Sequence, residues 1–145
     1  ILSMTKVSTI LSRKGRNAIS IQTDTKVYDA LKIMSDKNIG SLIVLDGEKY
    51  AGLLTERDYS RKVILLGKHS DETTVAEIMS TDLPTVHPND TIERCMQLMS
   101  NKNIRYLPVF ENDQLSGIIS ISDVVTETIL QQRETINQLQ NYIQG

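Results

Sequence analysis

Apolar residues recur along the chain with two periods, and the switches between them mark out the elements. Val27, Ala30, Leu31, Ile33 and Met34 fall three and four residues apart, which predicts a helix with one apolar face running to about Lys37. Asp24-Thr25 offers a cap for it, and the apolar–polar alternation over residues 18–21 predicts a short strand before it. Asn38 to Gly40 breaks the helix. Ser41-Leu42-Ile43-Val44-Leu45 is an unbroken run of strand length that ends on the turn signal Asp46-Gly47, so residues 50–54 return antiparallel. Thr55 then opens a second helix bearing Tyr59, Val63 and Leu66, which stops at Gly67. The unit reads β-α-β-β-α.

After a polar linker from His69 to Thr73, residues 75–79 restart the same programme. Pro84-Thr85-Val86 predicts the strand, Asp90 with Glu93 a capping box, and Ile92, Cys95, Met96 and Met99 the apolar helix face. Residues 107–110 and 115–119 predict a hairpin with Asn112-Asp113 in its turn, and Ser120 opens the next helix. A single offset of 65 residues lays Gly52-Leu53-Leu54-Thr55-Glu56-Arg57-Asp58 on Gly117-Ile118-Ile119-Ser120-Ile121-Ser122-Asp123. It also pairs Met34-Ser35 with Met99-Ser100, Lys37-Asn38-Ile39 with Lys102-Asn103-Ile104, and Val44 with Val109. Only the start is out of step. An apolar turn begins at Val7, and the first copy has three extra residues in Ser12-Arg13-Lys14-Gly15-Arg16-Asn17, a run predicted to be an exposed loop. Its Arg13, Lys14 and Arg16 either face an anion or are simply solvated.

The hydroxyl followed three residues later by a carboxylate, found in both copies, has two physical readings. In a capping box, Thr55 or Ser120 accepts an early backbone N–H while Asp58 or Asp123 reaches back to the cap. In a ligand site, the carboxylate accepts neighbouring hydroxyls of a ribose and the helix N-terminus favours phosphate. Recurrence in equivalent places favours the second without removing the first.

Composition narrows the function classes. Aromatics make up 4% with no tryptophan, which argues against a stacking platform for single-stranded nucleic acid. The net charge of −2 provides no general attraction to nucleic acid or anionic membranes. The single cysteine, Cys95, excludes a disulfide framework and suits a reducing compartment, the cytoplasm, or an organelle matrix if a leader preceded Ile1. No apolar run approaches the roughly 18 residues that span a bilayer. His69 in a polar linker and His87 before Pro88 are the only histidines, and no metal-ligand spacing, P-loop or dinucleotide fingerprint occurs. No nucleophile, base and orienting group come together, so the expectation is a protein that is not an enzyme. Beyond Val125 the chain continues helical, and Ile129, Ile136 and Ile143 with Leu139 form a heptad stripe that either packs on its own body or reinforces a dimer.

With the repeat and both motifs established, the chain resembles a tandem pair of CBS domains, the family named for cystathionine β-synthase, of the stand-alone type. The carriers are Gly52–Asp58, Gly117–Asp123, the Arg105-Tyr106-Leu107-Pro108-Val109 stretch and the Asn141–Gly145 tail. The resemblance implies an α+β fold (α/β by some schemes) of two β-α-β-β-α repeats, residues 1–68 and 74–130, joined by a linker at 69–73. They would pack through a pseudo-twofold axis, with a C-terminal amphipathic helix at 131–145. It implies two clefts for a regulatory ligand containing adenosine, such as AMP, ATP, NAD or S-adenosylmethionine, with no catalytic cofactor and no metal. Thr55 and Asp58 would hold the ribose in one cleft, Ser120 and Asp123 in the other, and the adenine would rest on backbone groups of Ser20-Ile21 or Thr85-Val86. Arg105 would meet phosphates in the Asp58 cleft, and Arg57, assisted by Arg61, those in the Asp123 cleft. Their counterparts are Gly40 for Arg105 and Ser122 for Arg57, so the clefts should be unequal. The partners implied are a second copy, in a homodimer, and an unidentified regulated protein. The rival reading is a structural dimerisation module with vestigial clefts.

Overall fold

The computed structural model describes residues 5–15 and 18–144, which fall into two compact units. The first is residues 18–83. The second joins the N-terminal segment to residues 84–145. The elements are α1 (Val7–Lys14), β1 (Ser20–Gln22), α2 (Val27–Lys37), β2 (Ser41–Asp46), β3 (Lys49–Thr55), α3 (Glu56–Tyr59), α4 (Val75–Ile78), α5 (Ile92–Lys102), β4 (Tyr106–Glu111), β5 (Gln114–Ser120) and α6 (Ile121–Gln144). The mixed helix and strand content is the α+β arrangement expected.

In the first unit, β1 pairs parallel with β2 and β2 antiparallel with β3, with Ile21 opposite Val44 and Leu42 opposite Leu54. The core behind the sheet takes Val27, Ala30 and Met34 from α2, at the spacing read from the sequence, together with Leu42, Val44 and Leu54. The expected Asp24-Thr25 cap is not formed. Lys26 occupies the N-cap position without a side-chain cap bond, and the orphan N–H groups of Val27 and Tyr28 donate instead to the carbonyls of Thr73 (2.8 Å) and Ser70 (2.9 Å). A backbone segment from the linker thus does what the side chain was expected to do. The helix opened by Thr55 passes after Tyr59 into a π-helical stretch, Ser60–Ile64.

In the second unit, β4 and β5 form the predicted hairpin, with Asn112 and Asp113 both at positive φ (54° and 62°) in its turn. Pro84-Thr85-Val86 is not a strand: Val86 makes one parallel bridge to Val109, and prolines at 84 and 88 supply no N–H to extend a ladder. The expected Asp90–Glu93 capping box is also absent. Thr91 is the N-cap of α5 and accepts from the Arg94 N–H (3.2 Å), while the Asp90 carboxylate turns back to the His87 N–H (2.8 Å). The equivalent helices α2 and α5 both end on an asparagine in the left-handed region, Asn38 and Asn103 at φ 53°.

The compact units differ from the sequence repeats in one respect. Val7, Ile10 and Leu11 of α1, which open the first repeat, belong to the core of Cys95, Leu107 and Ile119. Val75 and Ile78 of α4, which open the second repeat, belong to the core of Val27 and Leu54. Each repeat therefore lends its opening segment to the other's core. The basic run after Leu11 is correspondingly not a loop throughout: α1 extends through Arg13 and Lys14, and Arg16 and Asn17 lie outside the described residues.

Helix α6 runs for 24 residues. Its first turns pack through Val124 and Glu127, after which Ile129, Ile136, Leu139 and Ile143 are exposed by 43%, 53%, 57% and 81%, so within this single chain the stripe is not covered by the protein's own body. Val125, 50% exposed, extends it one step earlier. Among the described residues no helix is long and apolar enough to cross a membrane.

Candidate ligand sites at two helix entrances

The first site grows from the end of β3. Gly52 has no side chain, and this lets the segment after α4 come against the strand: Leu53 and Ser80 exchange backbone hydrogen bonds of 3.0 and 2.8 Å. Ser80 is thereby aimed at Asp58. One carboxylate oxygen, Oδ2, accepts the Thr55 N–H (3.0 Å) and hydroxyl (3.0 Å), while Oδ1 accepts from Ser80 Oγ (2.8 Å) and Lys62 Nζ (3.0 Å). The Asp58 N–H donates to Thr55 Oγ1 (3.2 Å), which completes a capping box. Lys62 also donates to the Ile78 carbonyl (2.9 Å). Asp58 is 4% exposed, and its four bonds fill the capacity of a carboxylate.

The second site repeats the cap with different neighbours. Asp123 Oδ2 accepts the Ser120 N–H (2.8 Å), and the Asp123 N–H donates to Ser120 Oγ (3.1 Å). Lys14 Nζ reaches the same Oδ2 (2.7 Å) and the Ile118 carbonyl (2.9 Å). Oδ1 accepts nothing among the described residues. One residue earlier on α1, Arg13 Nε donates to Glu127 Oε1 (3.0 Å). Of the two expectations for Arg13 and Lys14, solvated or facing an anion, the solvated one is corrected: both are ion-paired to carboxylates of α6. A helix that ends beside two carboxylates places its basic last turn against them.

The other expected site residues are described by their own surroundings. Ile21 and Val86 are buried in the two cores, so only their backbones can meet a ligand, and Ser20 and Thr85 beside them are exposed. Arg61 and Arg105 are exposed and Arg57 half-buried; the Arg105 carbonyl accepts the Ile121 N–H (2.9 Å), as the Gly40 carbonyl accepts that of Glu56 (3.3 Å). Among the described residues no three His, Cys, Asp or Glu side chains cluster as metal ligands. His87 Nδ1 accepts the Asn89 N–H (3.0 Å), a local turn contact. Cys95 is fully buried, and burial, with a smaller push from Asp90 opposed by Arg94, raises its thiol to about 11, the state of a core residue rather than a nucleophile.

Sequence reading did not single out Lys62, Ser80, Lys14 or Glu127 as neighbours of the motif carboxylates. The spacing carried part of the signal, because Asp58 with Lys62 and Asp123 with Glu127 are four apart on a helix and share a face. Ser80 and Lys14 are brought in by tertiary packing and leave no local trace.

The CBS domain family profile matches residues 7–64 and 75–129. A mitochondrial CBS domain-containing protein of Arabidopsis thaliana, CBSX3, is 39% identical over 150 residues, covering 97% of this chain and 73% of its own length. Among solved structures, a protein with CBS domains from Burkholderia ambifaria aligns with a TM-score of 0.83 at 42% identity, over 87% of this chain and 95% of that one. A hexameric CBS-CP12 protein from bloom-forming cyanobacteria aligns with a TM-score of 0.73 at 31% identity, over 84% of this chain and 67% of that one. Two matched stretches, each closing on the same turn from strand through hydroxyl and carboxylate into helix, make this chain a member of the CBS domain family that carries the domain twice.

Proposed function

We propose that the chain is a non-catalytic regulatory module that binds ligands containing adenosine (AMP, ATP, NAD or S-adenosylmethionine) and passes their occupancy to a partner protein. The observation that carries the reading is the recurrence, in a CBS pair, of a hydroxyl and a carboxylate at the mouth of a helix, Thr55 with Asp58 and Ser120 with Asp123. Phosphate recognition by Arg105, Arg57 and Arg61 belongs to the same reading, since a guanidinium matches phosphate oxygens with a fork of donors. Self-association as a homodimer is supported by the exposed α6 stripe and by the hexameric state of the cyanobacterial relative. A reducing compartment, cytoplasm or organelle matrix, agrees with the one buried cysteine and with the mitochondrial Arabidopsis relative.

One observation favours the rival, a structural module with vestigial clefts: both carboxylates already serve as helix caps and both hold a lysine. Melting temperature with and without AMP, ATP, NAD and S-adenosylmethionine separates the two. A ligand at about 100 times its dissociation constant adds roughly 2.7 kcal/mol of stability. The binding reading expects this gain for at least one ligand and its loss in Asp58→Asn/Asp123→Asn; no shift with any of the four leaves the structural module standing.

A further inference from the structure

The two opening segments dock through the same backbone contacts, so those contacts cannot tell the segments apart. In the second unit the Val7 N–H donates to the Asp90 carbonyl (2.8 Å) and the Ile92 N–H to the Thr5 carbonyl (3.0 Å). In the first, the Val75 N–H donates to the Thr25 carbonyl (2.8 Å) and the Val27 N–H to the Thr73 carbonyl (2.8 Å). The side chains that follow are no more selective: Val7, Ile10 and Ser12 match Val75, Ile78 and Ser80. Chain length does not choose either. Residues 15–19 extend to at most roughly 18 Å, whereas β1 lies two strand spacings, roughly 10 Å, from β3 in its own sheet. The connection is long enough for α1 to reach the core of its own repeat, yet α1 sits in the other.

What differs is charge. Helix α1 ends on Arg13 and Lys14, while the segment after α4 has Thr81 and Asp82 at the matching places and so brings no cation. In the second unit Arg13 Nε donates to Glu127 Oε1 (3.0 Å), and Glu127 is 1% exposed with Oε2 unpartnered among the described residues. In the first unit the place of Glu127, 65 residues earlier, is held by Lys62, which is bound to Asp58 (3.0 Å) and to the Ile78 carbonyl (2.9 Å). Laid on that core, α1 would bring Arg13 and Lys14 against Lys62. The segment of α4 laid on the other core would leave Glu127 buried with no cation. Removing one partner of a buried ion pair is strongly destabilising, whereas replacing the whole pair by apolar residues is often neutral. A half-satisfied buried glutamate is therefore a poor choice for stability and a good one for discrimination. We infer that the Arg13–Glu127 pair and Lys62 form a sorting device, which directs α1 to the core beside Asp123 and keeps it off the core beside Asp58. The device acts on folding and does not depend on the nucleotide reading above.

The test traps the docking with disulfides in the full chain carrying Cys95→Ala. Lys6 bridges Thr91 and Lys26 bridges Thr74, both antiparallel. Cα atoms paired in this way lie roughly 4.5–5.5 Å apart, within disulfide reach. With Lys6→Cys/Lys26→Cys/Thr91→Cys, the cysteine at 6 bonds to that at 91 when α1 occupies the observed core, and to that at 26 when it occupies the other. The chain is refolded from urea in glutathione buffer and the disulfide mapped by mass spectrometry. With native charges the 6–91 bond is expected. Exchanging the charges in Lys62→Glu/Glu127→Lys, at unchanged composition, should raise the ratio of 6–26 to 6–91 by at least about tenfold. Glu127→Met, which leaves no buried acceptor, should keep its melting temperature yet move the ratio in the same direction, a combination that a merely stabilising pair does not give. An unchanged ratio in the exchanged protein overturns the inference, and so does loss of both bonds, since α1 would then detach without changing core. If the exchanged protein does not fold, Lys62→Glu alone keeps the Arg13–Glu127 pair and should still raise the ratio; no rise there is equally fatal.

Discussion

Gly52 and Gly117 occupy the same place in the two repeats, yet alanine should be far worse at the first. Neither glycine lies in the left-handed region, so backbone strain is not the issue, and the difference comes from what the new methyl group meets. A Cβ on Gly52 would lie 2.7 Å from the Ser80 carbonyl oxygen and 3.0 Å from Met79 Sδ. That oxygen cannot retreat without breaking the paired bonds between Leu53 and Ser80 (3.0 and 2.8 Å). Two backbone hydrogen bonds at about 1 kcal/mol each and an overpacking cost of about 1–3 kcal/mol are offset by roughly 0.4–1 kcal/mol from the stiffer unfolded chain. The net loss is about 3 kcal/mol, which at the 2–4 °C per kcal/mol usual near this size lowers the melting temperature by about 6–12 °C. Among the described residues a Cβ on Gly117 would meet only Leu11 Cδ2, at 3.0 Å, the movable end of a side chain, so its cost should stay under about 1 kcal/mol. Thermal and urea melts of both single variants measure this. Equal losses, or a loss below about 1 kcal/mol in Gly52→Ala, would refute the idea that the motif glycine is there for the Ser80 backbone.

Arg13→Met should destabilise the chain by about 3 kcal/mol in urea melts, because it strands the buried Glu127 carboxylate. Lys14→Met should cost under about 1 kcal/mol, since the Asp123 side chain keeps 22% exposure; equal costs would contradict the burial argument. The folded Cys95 thiol titrates near 11 and the unfolded one near 9.0, so its contribution is intact below pH 9 and lost as pH rises through 11. Stability should therefore decline over that window, and Cys95→Ala should remove the part of the slope below pH 10, where Tyr50, raised from 10.0 to about 12 by burial, has not begun to contribute. Truncation after Leu130 removes Ile136, Leu139 and Ile143 and should shift a dimer toward monomer at micromolar concentration by light scattering; a full-length monomer would dismiss the stripe as an interface.

The sequence by itself determined the repeat, most of the order of helices and strands, and the caps Thr55–Asp58 and Ser120–Asp123, because each rests on local periods and on residues three or four apart. The hairpin turn at Asn112-Asp113 and the break of the first helix at Asn38 were legible for the same reason. Tertiary structure alone decided which core each opening segment joins. Val7, Ile10 and Leu11 are apolar at helical spacing whichever core receives them, and the pattern does not name the receiver. It also decided the cap of α2, where the Thr73 and Ser70 carbonyls take the place expected of Asp24-Thr25, and the reduction of Pro84-Thr85-Val86 to a single bridge. In the candidate sites, the motif pairs Thr55–Asp58 and Ser120–Asp123 were readable. Their neighbours were not: Ser80 reaches Asp58 because Gly52 admits a backbone, and Lys14 and Arg13 reach Asp123 and Glu127 across more than 100 residues of chain. A run of basic residues looks the same in sequence whether it is solvated or paired, and only the packing of α1 against α6 brings carboxylates within reach.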